Sequence, residues 1–372
     1  MNRNYKDIKL IFHHPRPIKE NGTSGSEVRP YKMLKAFKNL GASVVEVTGT
    51  INERKSKMKQ VRKRLDEGEI FDFVYAENLT IPYAMSESHR LPLNPFIDHK
   101  FLDFCSSKGI PVALFNRDVY WRDSSYREML PWWGRAITVP LYWFDWLYHT
   151  RYLSTLYLPS EAMARVLPYI EKFKKLRYLP PGTEIFDDSP ETKNAKTFRV
   201  FYVGGIKPPT YNLRPLFKAI GQAKSNITLT VCCREKEWEE VKSHYLPYVT
   251  DSIKILHRSG SEIPSLYNQS DLFSIVRSDG SYLERSVPIK VYESIGFALP
   301  ILCSPGGETA RIVGEENLGW VESEEKIAHF LEKLSKNPAM LEEKRKHLKT
   351  IRRKHTWEAR AIQVCEEMLV KN

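Results

Sequence analysis

Residues 286–320 read SVPIKVYESIGFALPILCSPGGETARIVGEENLGW. Two prolines bracket a predicted helix over 289–297, and a short buried strand over 300–303 follows it. Lys290 and Glu293 are three residues apart, so they lie side by side on one face of this helix. Such a pair is either a surface ion pair worth under about 1 kcal/mol, or part of a nucleotide site in which the ammonium meets a diphosphate and the carboxylate meets ribose hydroxyls.

The composition predicts a folded protein of two domains. A chain of 372 residues is too long for one ordinary core and suits two domains of about 150 to 200 residues each. The five cysteines show no C-x-x-C spacing, which favours reduced thiols in a cytoplasm over a disulfide framework or a zinc site. The first ten residues are too polar for a secretory signal, and no apolar run of about 18 residues predicts a membrane span.

The net charge of +12 implies an anionic partner. The candidates are nucleic acid, anionic lipid headgroups, and the phosphates of a donor or an acceptor. Because no zinc-finger, RNP or helix-turn-helix pattern occurs, nucleic acid is not predicted as a partner.

Polar side chains lie at the carboxyl ends of three strands predicted in the amino-terminal half. That edge is where parallel α/β sheets bind ligands. The strands are 8–13, 71–75 and 111–115. Asp118 is the first candidate for a general base acting on an incoming hydroxyl, followed by Glu77 and His13. Alternatively these residues cap the next helix, or Asp118 pairs with Arg117 or Arg122.

A glycine- and serine-bearing loop over 21–26 follows the first strand, and an amphipathic helix over 28–40 comes after it. This is the order of a βαβ unit, in which such a loop contacts a ligand. The alternative is a tight turn without a ligand. Because the glycines are not spaced as G-x-G-x-x-G, no dinucleotide is predicted.

The chain changes character over 120–158, where five of the eight tryptophans are interleaved with arginines. Aromatic rings beside arginines suit the headgroup region of a bilayer, whereas an aromatic helical hairpin in the core of the first domain explains the same composition. Pro131 and Pro140 are predicted to divide the segment into pieces too short to span a membrane.

The carboxyl-terminal half is predicted to begin after a polar, proline-bearing linker over 187–196. Gly204 and Gly205 follow its first strand, and glycines there let the backbone approach a phosphate closely. Basic side chains lie in the loops and at the strand ends of this half. They are Lys207, with Arg214 as its alternative, Arg234 and Arg258.

Several motifs resemble one family of transferases. P-x-K-x-x-E followed by G-x-x-L-P-I-L, the turn LPPGT over 179–183, YNQSDLFS over 267–274 and WEARA over 357–361 occur in an order similar to that of the large retaining glycosyltransferase family with the GT-B fold. The resemblance implies an α/β protein of two Rossmann-like domains facing across a cleft. It also implies that Lys290 meets the donor diphosphate and Glu293 the ribose.

The domain arrangement that this resemblance implies is an acceptor-binding domain over 1–188, a nucleotide-sugar domain over 189–356, and a helix over 357–372 that crosses back to the first domain. Many members carry a second glutamate where this sequence has Arg285, with Glu284 adjacent. Retention or inversion of the sugar configuration therefore stays open.

The function predicted from this resemblance is transfer of a sugar from a UDP, GDP or dTDP sugar to a polysaccharide or lipid-linked glycan, at the cytoplasmic face of an anionic membrane. No tightly bound cofactor and no metal are predicted, since no Asp-x-Asp motif follows a strand. The predicted donor-site residues are Gly204, Gly205, Lys207, Arg234, Arg258, Lys290, Tyr292 and Glu293. The alternatives are a non-catalytic partner or chaperone of another transferase, and a nucleotide-sugar epimerase of the same fold.

Overall fold

A computed structural model describes residues 5–20, 22, 25–123, 126–186, 197–208, 210–277, 284–285 and 287–370, apart from the side chains of residues 128 and 129. Contacts divide the chain into two compact units, Met1–Pro181 with Trp357–Asn372, and Gly182–Thr356. The predicted linker over 187–196 lies outside the described residues, and so does the predicted domain boundary inside it. Residues 21, 23 and 24 of the predicted loop over 21–26 also lie outside them.

Strands alternate with helices along both units. The strands are β1 Lys9–His14, β2 Ser43–Thr48, β3 Phe73–Glu77, β4 Val112–Phe115, β5 Thr155–Leu158, β6 Leu176–Tyr178, β7 Phe198–Val203, β8 Ile227–Cys232, β9 Ile253–Leu256, β10 Leu272–Ile275, β11 Ile301–Cys303 and β12 Gly319–Val321. The α-helices are α1 Gly25–Asn39, α2 Ile51–Asp66, α3 Ile97–Ser107, α4 Tyr126–Met129, α5 Trp132–Tyr152, α6 Glu161–Ala164, α7 Arg214–Gln222, α8 Glu235–Val241, α9 Ile263–Asn268, α10 Ile289–Gly296, α11 Gly307–Glu315, α12 Ile327–Lys336, α13 Pro338–Ile351 and α14 Trp357–Leu369.

The first unit contains a parallel sheet with the strand order β2-β1-β3-β4-β5-β6. The chain leaves β1 for β2 on one side and then returns to β3 on the other, so the order reverses between β1 and β3. Parallel sheets bind ligands beyond the carboxyl ends of their strands at such a reversal. Here those ends are His14 and Glu77.

The second unit contains a parallel sheet with the order β12-β11-β10-β7-β8-β9. Counted from β7, this is the 3-2-1-4-5-6 arrangement of dinucleotide-binding sheets. The reversal lies between β7 and β10. Gly204 and Gly205 follow β7 there, and Arg277 comes two residues after the end of β10. Together the two sheets confirm the predicted α/β class.

Helix α10 ends in a left-handed cap and packs very closely on the chain beside it. Ala298 has φ 50°, and the amide of Leu299 donates to the carbonyl of Ser294 at 2.9 Å, as in a Schellman motif. A Cβ added to Gly296 would lie 2.2 Å from the carbonyl oxygen of Glu184. Only glycine fits at this position, and the close contact fixes the position of α10 against residue Glu184 of the same unit.

The last helix, α14, belongs to the core of the first unit although it follows the whole second unit in sequence. Its residues Ala361, Val364 and Cys365 are buried together with Met33 and Phe37 of α1. This confirms the prediction that the terminal helix crosses back to the first domain.

The prediction that Pro140 divides the segment 120–158 is wrong, because α5 runs through it from Trp132 to Tyr152. Pro140 deprives the carbonyl of Ala136 of its amide partner, but both residues are exposed. Water can replace the lost hydrogen bond on that side of the helix. Pro131 does stand at the helix start, as its N-cap. Among the described residues, no helix is long and apolar enough to cross a membrane.

The tryptophans of α5 divide between core and surface. Trp146 is buried in the first unit, and its indole donates to the carbonyl of Pro168 at 2.7 Å. Trp132 and Trp133 are 74% and 59% exposed. The core interpretation therefore applies to the inner face of α5, and its outer face is a separate apolar surface.

Candidate functional site

Lys290 and Glu293 lie together on α10, within the second unit. The ammonium of Lys290 is 2.7 Å from Oε2 of Glu293, and the hydroxyl of Tyr267 donates to the same oxygen at 3.1 Å. The ring of Tyr267 stacks on that of Phe297 with centroids 4.6 Å apart. Glu293 is thus held in one orientation by two donors on one of its oxygens. Tyr292, also predicted to bind the nucleotide, is buried instead, with its ring 5.6 Å from that of His355.

The glycine turn after β7 is tight on both sides. The amide of Gly204 donates to the carbonyl of Cys232 at 3.1 Å, and a Cβ on Gly205 would lie 2.9 Å from the ring of Tyr211. The carboxylate of Glu237 accepts from the amides of Ile206 and Lys207, at 2.7 and 3.0 Å. These two amides thus bind a carboxylate of the chain itself, in the geometry by which successive amides bind an anionic group.

The other predicted cations of the second unit differ in how they are held. Lys207 is exposed and lies 3.2 Å from Glu240, and Arg258 is exposed and lies 2.5 Å from Glu262. Arg214, the alternative to Lys207, contacts the ring of His244 at 3.1 Å. Arg234 is exposed at the N-cap of α8. These positions keep the cations near the carboxyl edge of the sheet, mostly in exposed pairs that water and salt weaken.

Sequence reasoning missed Arg277. Its side chain is largely buried, only 9% exposed, and its guanidinium lies 5.7 Å from the ring centroid of Tyr211. The one available signal was its place directly after a predicted strand, since no motif marks it.

In the first unit, the structure places His13 in a buried charge network. Nε2 of His13 lies 2.8 Å from Oδ1 of Asp98, and Nε of Arg54 is 2.9 Å from the same oxygen. Burial tends to raise the pKa of Asp98, but the His13 and Arg54 contacts outweigh it and the pKa is lowered. These contacts favour a structural role for His13.

Glu77 is also committed to buried partners. Its two oxygens lie 3.3 Å from Nε of Arg29 and 3.4 Å from Nη2 of Arg117, and the hydroxyl of Tyr75 donates to it at 2.8 Å. Arg29 in turn lies 3.4 Å from the ring centroid of Phe115. A carboxylate so engaged is suited to joining β3, β4 and α1, and poorly suited to taking a proton from a substrate.

Asp118, beyond the end of β4, has a different environment. Burial raises the pKa of its carboxyl to about 7, although the amide of Tyr120 and the charge of Arg117 oppose the rise. Within the described part of the chain, Arg117 pairs with Glu77, and the guanidinium of Arg122 lies 5.6 Å from the ring centroid of Trp121. A carboxyl that ionises near neutral pH meets the requirement for a general base.

Asp118 lines a small pocket inside the first unit. Its other walls are Asn78, Leu79, Ile81, Tyr83, Asn116, Trp121, Tyr142, Asp145, Trp146 and His149. The cavity volume is about 20 Å³, which is room for about one water molecule. Trp121 and Tyr142 stack 5.7 Å apart and form an aromatic wall.

Two further polar residues of this pocket were missed by sequence reasoning. The hydroxyl of Tyr83 and both ring nitrogens of His149 are buried and have no hydrogen-bond partner among the described residues. Burial lowers the pKa of His149 well below its usual value, so the ring stays neutral. Buried polar atoms normally have partners, and these atoms suit a ligand hydroxyl. A tyrosine before α3 and a histidine inside α5 carry no sequence signal of their own.

The second unit matches a known family in sequence. Residues 197–337 match the family model described as "Glycosyl transferases group 1". The matched range contains the glycine turn, Arg277, Lys290 and Glu293, but it covers less than half of the chain. Comparison with curated proteins gives no match.

Solved structures match the whole chain. HepE from Anabaena in complex with UDP-glucose aligns with TM-score 0.62 and 14% identity, over 97% of this chain and 99% of that one. The chain has the GT-B fold. Sucrose-phosphate synthase from Thermosynechococcus elongatus shares this fold with TM-score 0.61 and 12% identity, over 96% and 97% of the two chains. The GT-B enzyme WaaG, a glycosyltransferase involved in lipopolysaccharide biosynthesis, aligns with TM-score 0.55 and 12% identity, over 98% of this chain and 100% of WaaG.

Among the described residues of the two GT-B units, no three His, Cys, Asp or Glu side chains converge.

Proposed function

We propose that this protein is a glycosyltransferase that takes a sugar from a nucleoside diphosphate sugar and transfers it to a glycan or lipid-linked acceptor at the inner face of the cell membrane. The observation that carries the proposal is the Lys290–Glu293 pair. It sits on the helix that follows β10, inside the region that matches group 1 glycosyltransferases.

The chemistry follows from where charge develops. When the bond between the anomeric carbon and the diphosphate breaks, negative charge grows on the leaving phosphate. Fixed cations and amides aimed at that phosphate lower the barrier. Lys290 supplies a cation, and Glu293 holds the ribose through its oxygen that neither Tyr267 nor Lys290 occupies. HepE has been solved with UDP and with UDP-glucose, so UDP is the first nucleotide to test.

Replacing Glu293 tests the donor site. The Glu293→Ala variant is expected to bind the preferred nucleotide more weakly by about 2 kcal/mol, because a charged hydrogen-bond partner of the ribose is lost. Calorimetric titration with UDP, GDP, ADP and dTDP measures this loss. Glu343→Ala, which changes an exposed carboxylate on α13, is the matched control. Binding by Glu293→Ala equal to that of the wild type would remove Glu293 from the donor site.

The acceptor side of the proposal rests on the pocket of the first unit. An acceptor hydroxyl placed there would meet Asp118 as the base and the neutral side chains of His149 and Tyr83 as hydrogen-bond partners. The stacked Trp121 and Tyr142 form an apolar wall beside that hydroxyl. An inverting reaction would use Asp118 to remove the hydroxyl proton.

Membrane contact is proposed for the outer face of α5. Trp133, Ile137, Pro140, Phe144 and Leu147 recur at helical spacing on one side of the helix. The ring of Phe96, from the loop before α3, packs 5.3 Å from that of Phe144 and widens this apolar stripe.

The surroundings of the stripe are basic. Arg151 on α5 is exposed, and the ammonium of Lys100 lies 5.9 Å from the ring of Phe96. On α2, Lys55, Lys59 and Lys63 are exposed at four-residue spacing. An apolar stripe flanked by cations fits the interface of an anionic bilayer.

Removing the exposed indoles tests this contact. The double variant Trp132→Ser/Trp133→Ser is expected to bind phosphatidylglycerol-containing vesicles at least about tenfold more weakly, because each buried indole contributes on the order of 1.5–3 kcal/mol. Vesicle sedimentation measures the partition at low and high salt. Leu246→Ser, which removes an exposed apolar side chain from the second unit, is the control. Equal binding by the double variant and the wild type would refute the membrane surface.

A further inference from the structure

Arg277 is a buried cation without a carboxylate partner among the described residues. Other largely buried arginines form ion pairs there, namely Arg29 and Arg117 with Glu77 at 3.3 and 3.4 Å, Arg54 with Asp98 at 2.9 Å and Arg345 with Asp271 at 3.5 Å. Withdrawing a charge from water is costly unless an opposite charge compensates it. An anionic ligand would supply the compensation that the described chain does not.

The backbone of Arg277 is fixed in place. Its amide donates to the hydroxyl of Ser304 at 3.1 Å, and that hydroxyl donates to the carbonyl of Arg277 at 2.9 Å. Ser304 directly follows β11, so two neighbouring strands hold the residue. The guanidinium therefore projects from a rigid edge of the sheet, which makes for a preorganised binding group.

Arg277 and Lys290 occupy the same edge of the sheet. Burial raises the pKa of the Cys232 thiol at the end of β8, and the charge of Lys290 is among the contributions that oppose the rise. Burial raises the pKa of Cys303 at the end of β11 to about 12, and the charge of Arg277 opposes that rise. The two cations thus lie near the ends of β8 and β11, and the ends of β7 and β10 lie between them in the sheet.

The glycine turn lies close to Arg277 through the ring of Tyr211. Gly205 follows β7 and packs against the ring of Tyr211, and the same ring lies 5.7 Å from the guanidinium of Arg277. Lys290 is already paired with Glu293 in this structure, whereas the planar fork of donors of Arg277 has no hydrogen-bond partner among the described residues. Such a fork matches two phosphate oxygens at once.

We propose that Arg277 binds the diphosphate of the nucleotide sugar, on the side of the glycine turn opposite to Lys290. This inference rests on the proposed function and adds to it a residue that stabilises the charge of the leaving group. Removal of Arg277 is therefore expected to weaken binding only where phosphates are present.

The test compares compounds that differ in phosphate count. Uridine, UMP and UDP, and the same series of guanosine compounds, are titrated calorimetrically into the wild type and Arg277→Gln. For the base that binds, affinity for the diphosphate is expected to fall about tenfold to a hundredfold in Arg277→Gln. Affinity for the nucleoside is expected to change less than about twofold. Arg353→Gln, which removes an exposed arginine from the same unit, should leave the whole series unchanged.

A second variant keeps the test valid if Arg277→Gln folds poorly. Arg277→Lys retains the charge but lacks the fork, so its diphosphate affinity should lie between those of the wild type and Arg277→Gln. An unchanged ratio of diphosphate to nucleoside affinity in the folded variants would overturn the inference and leave the proposed function standing. If the wild type binds none of UDP, GDP, ADP and dTDP, the proposed function fails, and the inference fails with it.

Discussion

Replacing Asp118 with asparagine is expected to slow the reaction about 10²- to 10⁴-fold, the range that a general base contributes. The amide has nearly the same shape as the carboxylate but cannot accept a proton. Hydrolysis of the nucleotide sugar, with water as the acceptor, is a suitable assay because the pocket beside Asp118 has room for about one water molecule. Donor affinity should be unchanged, so the loss should appear in kcat.

The same assignment predicts how the reaction rate changes with pH. The pKa of Asp118 is raised to about 7, and the base must be ionised to act. The wild-type rate should therefore fall tenfold for each pH unit below about 7, and this limb should be absent from Asp118→Asn. Asp66→Asn, an exposed change on α2, should keep the wild-type profile. A wild-type rate independent of pH between 5 and 8 would show that Asp118 is not the base.

Stability provides a readout that needs no substrate. Because the pKa of Asp118 is raised in the folded state, the unfolded chain ionises first as the pH rises. Wild-type stability relative to Asp118→Asn should therefore decrease between about pH 4 and pH 7 and remain constant above pH 7. Thermal unfolding of both proteins across this range measures the difference.

Replacing Lys290 with methionine is expected to lower kcat/KM for the nucleotide sugar about 10²- to 10³-fold. The methionine keeps the length and apolar stem of the side chain but removes the charge that faces the leaving phosphate. The variant also leaves Glu293 without the ammonium now 2.7 Å away. Steady-state release of nucleoside diphosphate measures the effect.

The control for Lys290 is Lys333→Met, which removes an exposed ammonium from α12. It should keep wild-type kinetics. A small effect of Lys290→Met together with a large effect of Arg277→Gln would shift the main electrostatic role to Arg277. Small effects of both would contradict the assignment of the diphosphate to this edge of the second sheet.

The order of strands and helices was largely readable from the sequence, because the period of apolar residues and the positions of prolines and glycines are local signals. Helix α10 is the clearest example, since a proline precedes it and Lys290 and Glu293 lie on one face. Pro140 shows the limit. A proline can be tolerated inside a helix when the carbonyl that loses its amide partner faces solvent. Which side of a helix faces solvent is decided by tertiary packing.

For the candidate site too, part could be predicted from the sequence and part depended on tertiary packing. Glu77 and Asp118 carry the same sequence signal, a carboxylate at the carboxyl end of a strand. Arg29 of α1, which is distant in sequence, pairs with Glu77, whereas Asp118 has no comparable partner among the described residues. The importance of Arg277 likewise rests on a missing partner among the described residues, and a missing partner leaves no mark in a sequence. Long-range pairing therefore decided which predicted residues remain candidates.

A crystal structure of the protein with UDP, or with whichever nucleoside diphosphate binds most tightly, tests the donor site most directly. The ribose hydroxyls are expected within hydrogen-bond distance of Glu293. The diphosphate is expected beside the turn at Gly204 and Gly205, in contact with Lys290 and Arg277. A nucleotide bound away from α10, or a diphosphate that touches neither cation, would contradict this assignment.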